Sequence, residues 1–256
     1  MTVPGLFVVG TDTGVGKTRL ASAIARGLTE GGRRVGVLKP VATGSVGADD
    51  DTGALLAAVG GGIPRARVTP IAFEEPLAPP VAARRLGAPL DFARVERAVA
   101  GALAWWAERA DVMIVEGVGG LLCPLAEGAT VADLAIALDY PLVIVARRGL
   151  GTLNHTLLTV EAARLRALRV AGLVLNAAAP TAHPLAEATN ADELARRLDG
   201  IPLLAEIDHA DDPETFSNAV RAIDWHSRAG APRDSGLHSH EAESRRVRST
   251  HPHHGA

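Results

Sequence analysis

An apolar strand that runs into a glycine-rich turn and then a helix leaves a chain few folds to choose from. The turn's backbone N–H groups and the helix N-terminus point at one place, where an anion can sit. Here LFVVG at 6–10 leads into GTDTGVGKT at 10–18, and RLASAIARGL follows. The usual phosphate-loop pattern asks for Gly, four residues, then Gly-Lys-Ser/Thr; Thr11 stands at the place of the first Gly, and Gly10 comes one residue early. The physical requirement is looser than the pattern. Gly14 and Gly16 allow close backbone approach, Lys17 supplies charge and Thr18 a hydroxyl.

Short apolar runs recur downstream between longer stretches with helical spacing, which signals an α/β fold with a mostly parallel sheet covered by helices on both faces. The spacing predicts strands at 6–10, 34–38, 111–115, 141–146, 170–175 and 201–205. It predicts helices at 17–30, 52–59, 91–108, 131–138, 153–168, 185–199 and 213–225. Asp91 precedes one helix as a cap, Thr130 with Asp133 makes a capping box, and Gly31 and Gly32 end the first helix. One phosphate-loop domain over 1–225 is expected. From His226 large apolar residues become scarce and six of the nine histidines are found, so 226–256 reads as a disordered tail with only adventitious metal affinity.

Charge and composition narrow the partners. A net charge of -3 with interspersed signs offers no basic face for nucleic acid, and no apolar run nears the ~20 residues of a membrane helix. A single cysteine, Cys123, precludes an internal disulfide and reads as a small buried hydrophobe. The N-terminus has no signal-peptide pattern, so a cytoplasmic location is expected.

In a doubly wound sheet the C-terminal strand ends converge on one crevice. Lys39 and Thr43 in LKPVATG should therefore approach the phosphate loop, where a second cation would offset charge on transferred phosphate. Asp49, Asp50 and Asp51 precede a helix; one of them caps it, or one binds Mg²⁺. The run DVMIVEGVGG ends an apolar strand in Glu116, a metal-binding carboxylate by position, and then turns through Gly117, Gly119 and Gly120. The segment RRGLGTLNHTLLT opens a helix, and its N–H groups at Gly151 to Asn154 offer a second anion site, unless Asn154 is only the N-cap. Asn176 ends a strand, either to meet a nucleotide base or to make a turn.

Taken in order, GTDTGVGKT, KPVATG, DDDTGALL, EGVGGLLCPL and LGTLNHTLLT resemble the dethiobiotin synthetase family over about residues 5–210. The Gly-Thr-Asp-Thr form of the loop is that family's own. The resemblance implies an ATP- and Mg²⁺-dependent ligase of biotin biosynthesis. In it an amine of 7,8-diaminopelargonate captures CO₂ as a carbamate, the carbamate attacks the γ-phosphate of ATP, and the second amine closes the ring. It implies that Lys17 and Lys39 are catalytic, and that Thr18, Asp51 and Glu116 hold Mg²⁺. Nucleotide contacts would come from Gly14, Val15, Gly16, Lys17, Thr18 and Arg19, from Asp51 and Glu116, and from Gly117, Val118, Gly119 and Asn176. Ile207, Asp208 and His209 occupy the base-contact positions, although AEIDH replaces the family's Gly-Glu-Ile-Pro. Thr13 and Thr43 would touch substrate, as would Leu150, Gly151, Thr152 and Asn154 from the opposite subunit of a homodimer.

Two other readings share the loop. A partitioning-type switch ATPase carries an additional lysine where this chain has Asp12, and an acid cannot supply that charge. A free-standing cobyrinate-type amide synthetase is the remaining alternative.

Overall fold

The computed structural model describes residues 3–45, 47, 50–180, 183–209 and 213–233. The first strand β1 (Gly5–Gly10) leads into α1 (Lys17–Glu30), β2 (Val35–Leu38) and a short strand β3 (Val41–Thr43). Helices α2 (Asp51–Ala58) and α3 (Arg65–Val68) follow, then β4 (Ile71–Phe73), α4 (Pro79–Arg85) and α5 (Phe92–Trp106). Strand β5 (Val112–Gly120) precedes a hairpin, β6 (Pro124–Ala126) and β7 (Ala129–Thr130), that feeds α6 (Val131–Leu138). The chain then alternates through β8 (Leu142–Arg147), α7 (Thr152–Arg164), β9 (Val170–Asn176), α8 (Pro184–Arg197) and β10 (Leu203–Ile207), and closes with α9 (Pro213–Arg221) and α10 (Trp225–Arg228).

Six strands form a parallel sheet in the order β10-β9-β8-β1-β5-β2, so β1 lies between two strands that follow it by more than a hundred residues. Every residue of β1 is buried, as expected of a strand covered on both faces. Val8 lies opposite both Glu116 and Val143, which brings the ends of β1, β5 and β8 to one edge of the sheet. β3 pairs with β4 in a separate two-stranded sheet, and Thr43 at the end of β3 lines the cavity described below.

Helix starts follow local chemistry. Asp91 accepts the Arg94 N–H at 2.6 Å, and the Asp133 carboxylate takes both the N–H and the hydroxyl of Thr130 at 2.7 Å. Asp50 caps α2 by accepting the Gly53 N–H at 2.9 Å, which frees Asp51 to point elsewhere.

Two expectations need correction. β5 does not stop at 115: it runs through Glu116 to Gly120, because glycines without side chains let the strand continue beside the phosphate loop. Ordered structure also passes residue 225. Trp225 is buried and donates to the Val220 carbonyl at 2.8 Å, and Gly230 exchanges backbone hydrogen bonds with Gly5 at 3.0 and 3.1 Å. Arg233 then pairs with Asp139 at 2.7 Å. Backbone pairing and one arginine do here what the sparse apolar composition after His226 does not reveal. The rest of the expected tail lies outside the described residues. Among the described residues no helix is long and apolar enough to cross a membrane.

Candidate active site

The loop after β1 wraps the start of α1, whose N-cap is Gly16 in the left-handed region at φ 97°. A Cβ at Gly16 would also sit 2.3 Å from Asn176 Nδ2, so conformation and space both demand glycine. Asn176 is neither a turn residue nor exposed. It is the buried last residue of β9, and it donates from Nδ2 to the Val15 carbonyl at 2.8 Å, leaving Oδ1 buried without a partner. Lys17 is buried and donates to the Asp12 carbonyl at 2.9 Å, folding back along its own loop.

Opposite the loop stands Glu116, 1% exposed. Its Oε1 accepts from Thr18 Oγ1 and from Lys39 Nζ, each at 2.7 Å, whereas Oε2 is buried with no partner. Lys39 donates in addition to Asp51. Burial disfavours the Lys39 ammonium, but the Glu116 and Asp51 carboxylates outweigh it and hold its pKa above the ordinary lysine value. Burial likewise works against the Asp51 carboxylate, and Lys39 overcomes it to leave the pKa low. For Lys17 burial prevails over the attraction of Glu116, and its pKa falls.

These groups line a cavity of about 550 Å³. Thr13, Gly14, Gly16, Lys17, Thr18 and Arg19 form one wall, with Lys39, Thr43, Asp51, Glu116, Val118 and Gly119 facing them. Pro76 to Pro79 complete it, a wall that sequence reasoning missed; its only local signal is the proline run in EEPLAPP. Cys123 is half-buried beside Gly119, where it lines the cavity and packs against the core, and burial raises its thiol pKa. Gly119 at φ 61° would place a Cβ 2.7 Å from its sulfur.

The remaining expected residues lie outside this cavity. Val15 and Gly117 are buried beneath it. Ile207 is buried at the end of β10, and Asp208 beside it pairs with Arg148, which also reaches Glu206 at 3.2 Å. His209 is exposed. Leu150, Gly151 and Asn154 are exposed around the start of α7, and the N-cap of that helix is Gly151, not Asn154. Thr152 is fully buried, its hydroxyl 3.3 Å from that of Thr156, so its side chain faces the fold.

The donor set fits a hard divalent cation. Such ions are held by one or two carboxylates, a loop hydroxyl and nucleotide oxygens rather than by a full protein cage. Glu116 with a spare buried oxygen, Asp51 and Thr18 are that set, and among the described residues no group of three His, Cys, Asp or Glu competes with it.

Comparison with known proteins agrees with this geometry. A family model described as an AAA domain matches residues 4–215. An ATP-dependent dethiobiotin synthetase BioD from Anaeromyxobacter dehalogenans (strain 2CP-C) is 48% identical over 200 residues, covering 78% of this chain and 87% of the relative. Its counterpart from Anaeromyxobacter sp. (strain Fw109-5) is 43% identical over 209 residues, 81% of this chain and 91% of the relative. Among solved structures, a cobyrinic acid a,c-diamide synthase from Mycobacterium smegmatis with bound ADP and magnesium superposes with a TM-score of 0.50 at 18% identity, over 91% of this chain and 99% of that one. That last likeness speaks to fold alone. Identity near one half across most of both chains is far more specific, and on it the chain belongs to the ATP-dependent dethiobiotin synthetase family.

Proposed function

We propose that the cavity binds MgATP at the start of α1 and uses it to close the ureido ring of dethiobiotin from 7,8-diaminopelargonate and CO₂. The observation that carries this is Lys39, fixed between Glu116 and Asp51 and joined through Glu116 to the hydroxyl of Thr18. Phosphoryl transfer to a carbamate needs positioning and charge neutralisation rather than a nucleophilic side chain. Lys17 would leave the Asp12 carbonyl for the nucleotide phosphates. Lys39 would stabilise charge developing on the carbamate and the transferred phosphoryl group. Thr18, Asp51 and Glu116 would hold Mg²⁺, whose charge neutralises phosphate oxygens when it is bound.

The second part of the reading is a homodimer with shared sites. Leu150, Gly151 and Asn154 lie outside the cavity of their own chain, available to a neighbouring copy's substrate carboxylate. Leu122 and Leu158, exposed at 49% and 61%, line a separate hollow of about 360 Å³ beside the phosphate loop, which favours burial against a second copy.

Incubation with diaminopelargonate, bicarbonate and MgATP, read by mass spectrometry, should yield dethiobiotin with one phosphate released per product. Absence of product where a known synthetase is active would overturn the assignment.

A further inference from the structure

Three cations line the cavity, and two of them are committed: Lys17 to a backbone carbonyl and Lys39 to two carboxylates. The third, Arg19, sits in the first turn of α1 with its guanidinium 4.1 Å from the centre of the Phe216 ring. Phe216 belongs to α9, is 2% exposed, and packs where that helix crosses α1. Among the described residues no carboxylate pairs with Arg19, in contrast to Arg34, Arg65, Arg85 and Arg148. A guanidinium centred over an aromatic ring is restrained without a carboxylate partner, which leaves N–H donors available.

We infer that Phe216 is a positioning residue of the nucleotide site. It holds Arg19 so that the guanidinium meets phosphate oxygens of the nucleotide, next to the hydroxyl of Thr18. The inference rests on the nucleotide reading of the cavity and adds to it a named residue outside the cavity, on a helix near the C-terminal end of the described chain. A lysine at position 19 would carry the same charge without the planar stack, and a leucine at 216 would fill space without a ring face.

The test is calorimetric binding of ADP with Mg²⁺, alongside steady-state turnover. Arg19→Gln and Phe216→Leu should each weaken ADP binding and raise KM for ATP by about tenfold, the scale of one charged hydrogen bond, with the loss falling on KM for ATP more than on kcat or on KM for diaminopelargonate. Arg19→Lys should recover only part of the affinity. Because both changes remove one contact, the double variant should bind no more weakly than the worse single. Phe216→Leu lowering the melting temperature while leaving ADP affinity intact would reduce Phe216 to core packing and overturn the inference. So would unaltered affinity in Arg19→Gln with an unchanged melting temperature. Wild-type protein that binds no ADP would instead remove the nucleotide reading itself, which separates the two failures.

Discussion

A lysine held against two carboxylates, with only 4% of its side chain open to water, keeps its charge across the physiological range. Asp51, with its pKa lowered, contributes stability that is fully present above its unfolded value near 3.8 and is lost as pH falls through the lower folded value. Lys39, with its pKa raised, contributes stability fully present below 10.5 and lost only as pH rises through the higher folded value. Replacing Lys39 with Met should cost about 10² to 10³ in kcat. It should also lower the melting temperature, because Glu116 is left buried without its cation; near-native turnover in a folded variant would remove Lys39 from the chemistry. Lys17 behaves oppositely. Its pKa is lowered while it faces the Asp12 carbonyl, and phosphate would raise it, so nucleotide binding at alkaline pH should take up a proton. Calorimetry of ADP binding in buffers of different ionisation enthalpy, repeated as pH is raised toward 10.5, reads that uptake directly, and Lys17→Met should abolish it.

At the scale of elements, the C-terminal segment makes the clearest prediction. A chain ending at Asp224 loses the buried Trp225, the Gly5–Gly230 pairing and the Arg233–Asp139 contact. Removing a buried tryptophan alone costs about 3 to 5 kcal/mol, a fall on the order of 10 °C in melting temperature for a domain of this size. A chain ending at Arg233 keeps all three and should melt close to the full-length protein. Strong periodicity and visible caps mark α1 and α6, whose bounds at 17–30 and 131–138 coincide with expectation. Pairing between Gly5 and Gly230 leaves no trace in either neighbourhood. The same holds for β3 and β4, three residues each and too short for any period to show. In the site, Lys17, Thr18, Lys39 and Glu116 were legible because each stands at the end of a recognisable strand or the start of a helix, whereas only the family resemblance separated Asp51 from Asp49 and Asp50. Pro76 to Pro79, and the stack of Phe216 on Arg19, join segments far apart in the chain and carry no periodic signal.

For the whole molecule, the shared-site proposal has an arithmetic test. Lys17→Ala and Asn154→Ala homodimers should both be impaired, the first in phosphate neutralisation and the second in the grip on substrate. Co-refolded in equal amounts, half of the dimers are mixed, and each mixed dimer rebuilds one intact site, so activity should recover to about a quarter of wild type. No recovery, with mixed dimers seen by native mass spectrometry, would place each site within one chain. The central position of β1 has a different consequence, one that concerns synthesis rather than catalysis. The phosphate loop leaves the ribosome well before the segments that flank it, for β1 lies between β5 and β8, and the loop is tied down by Asn176 at the end of β9. A nascent chain therefore carries the whole nucleotide motif through the synthesis of more than a hundred further residues before all the strands that shape it are present. Chains stalled so that residue 140 has just cleared the exit tunnel should not retain ADP, and chains stalled with residue 176 well clear should begin to.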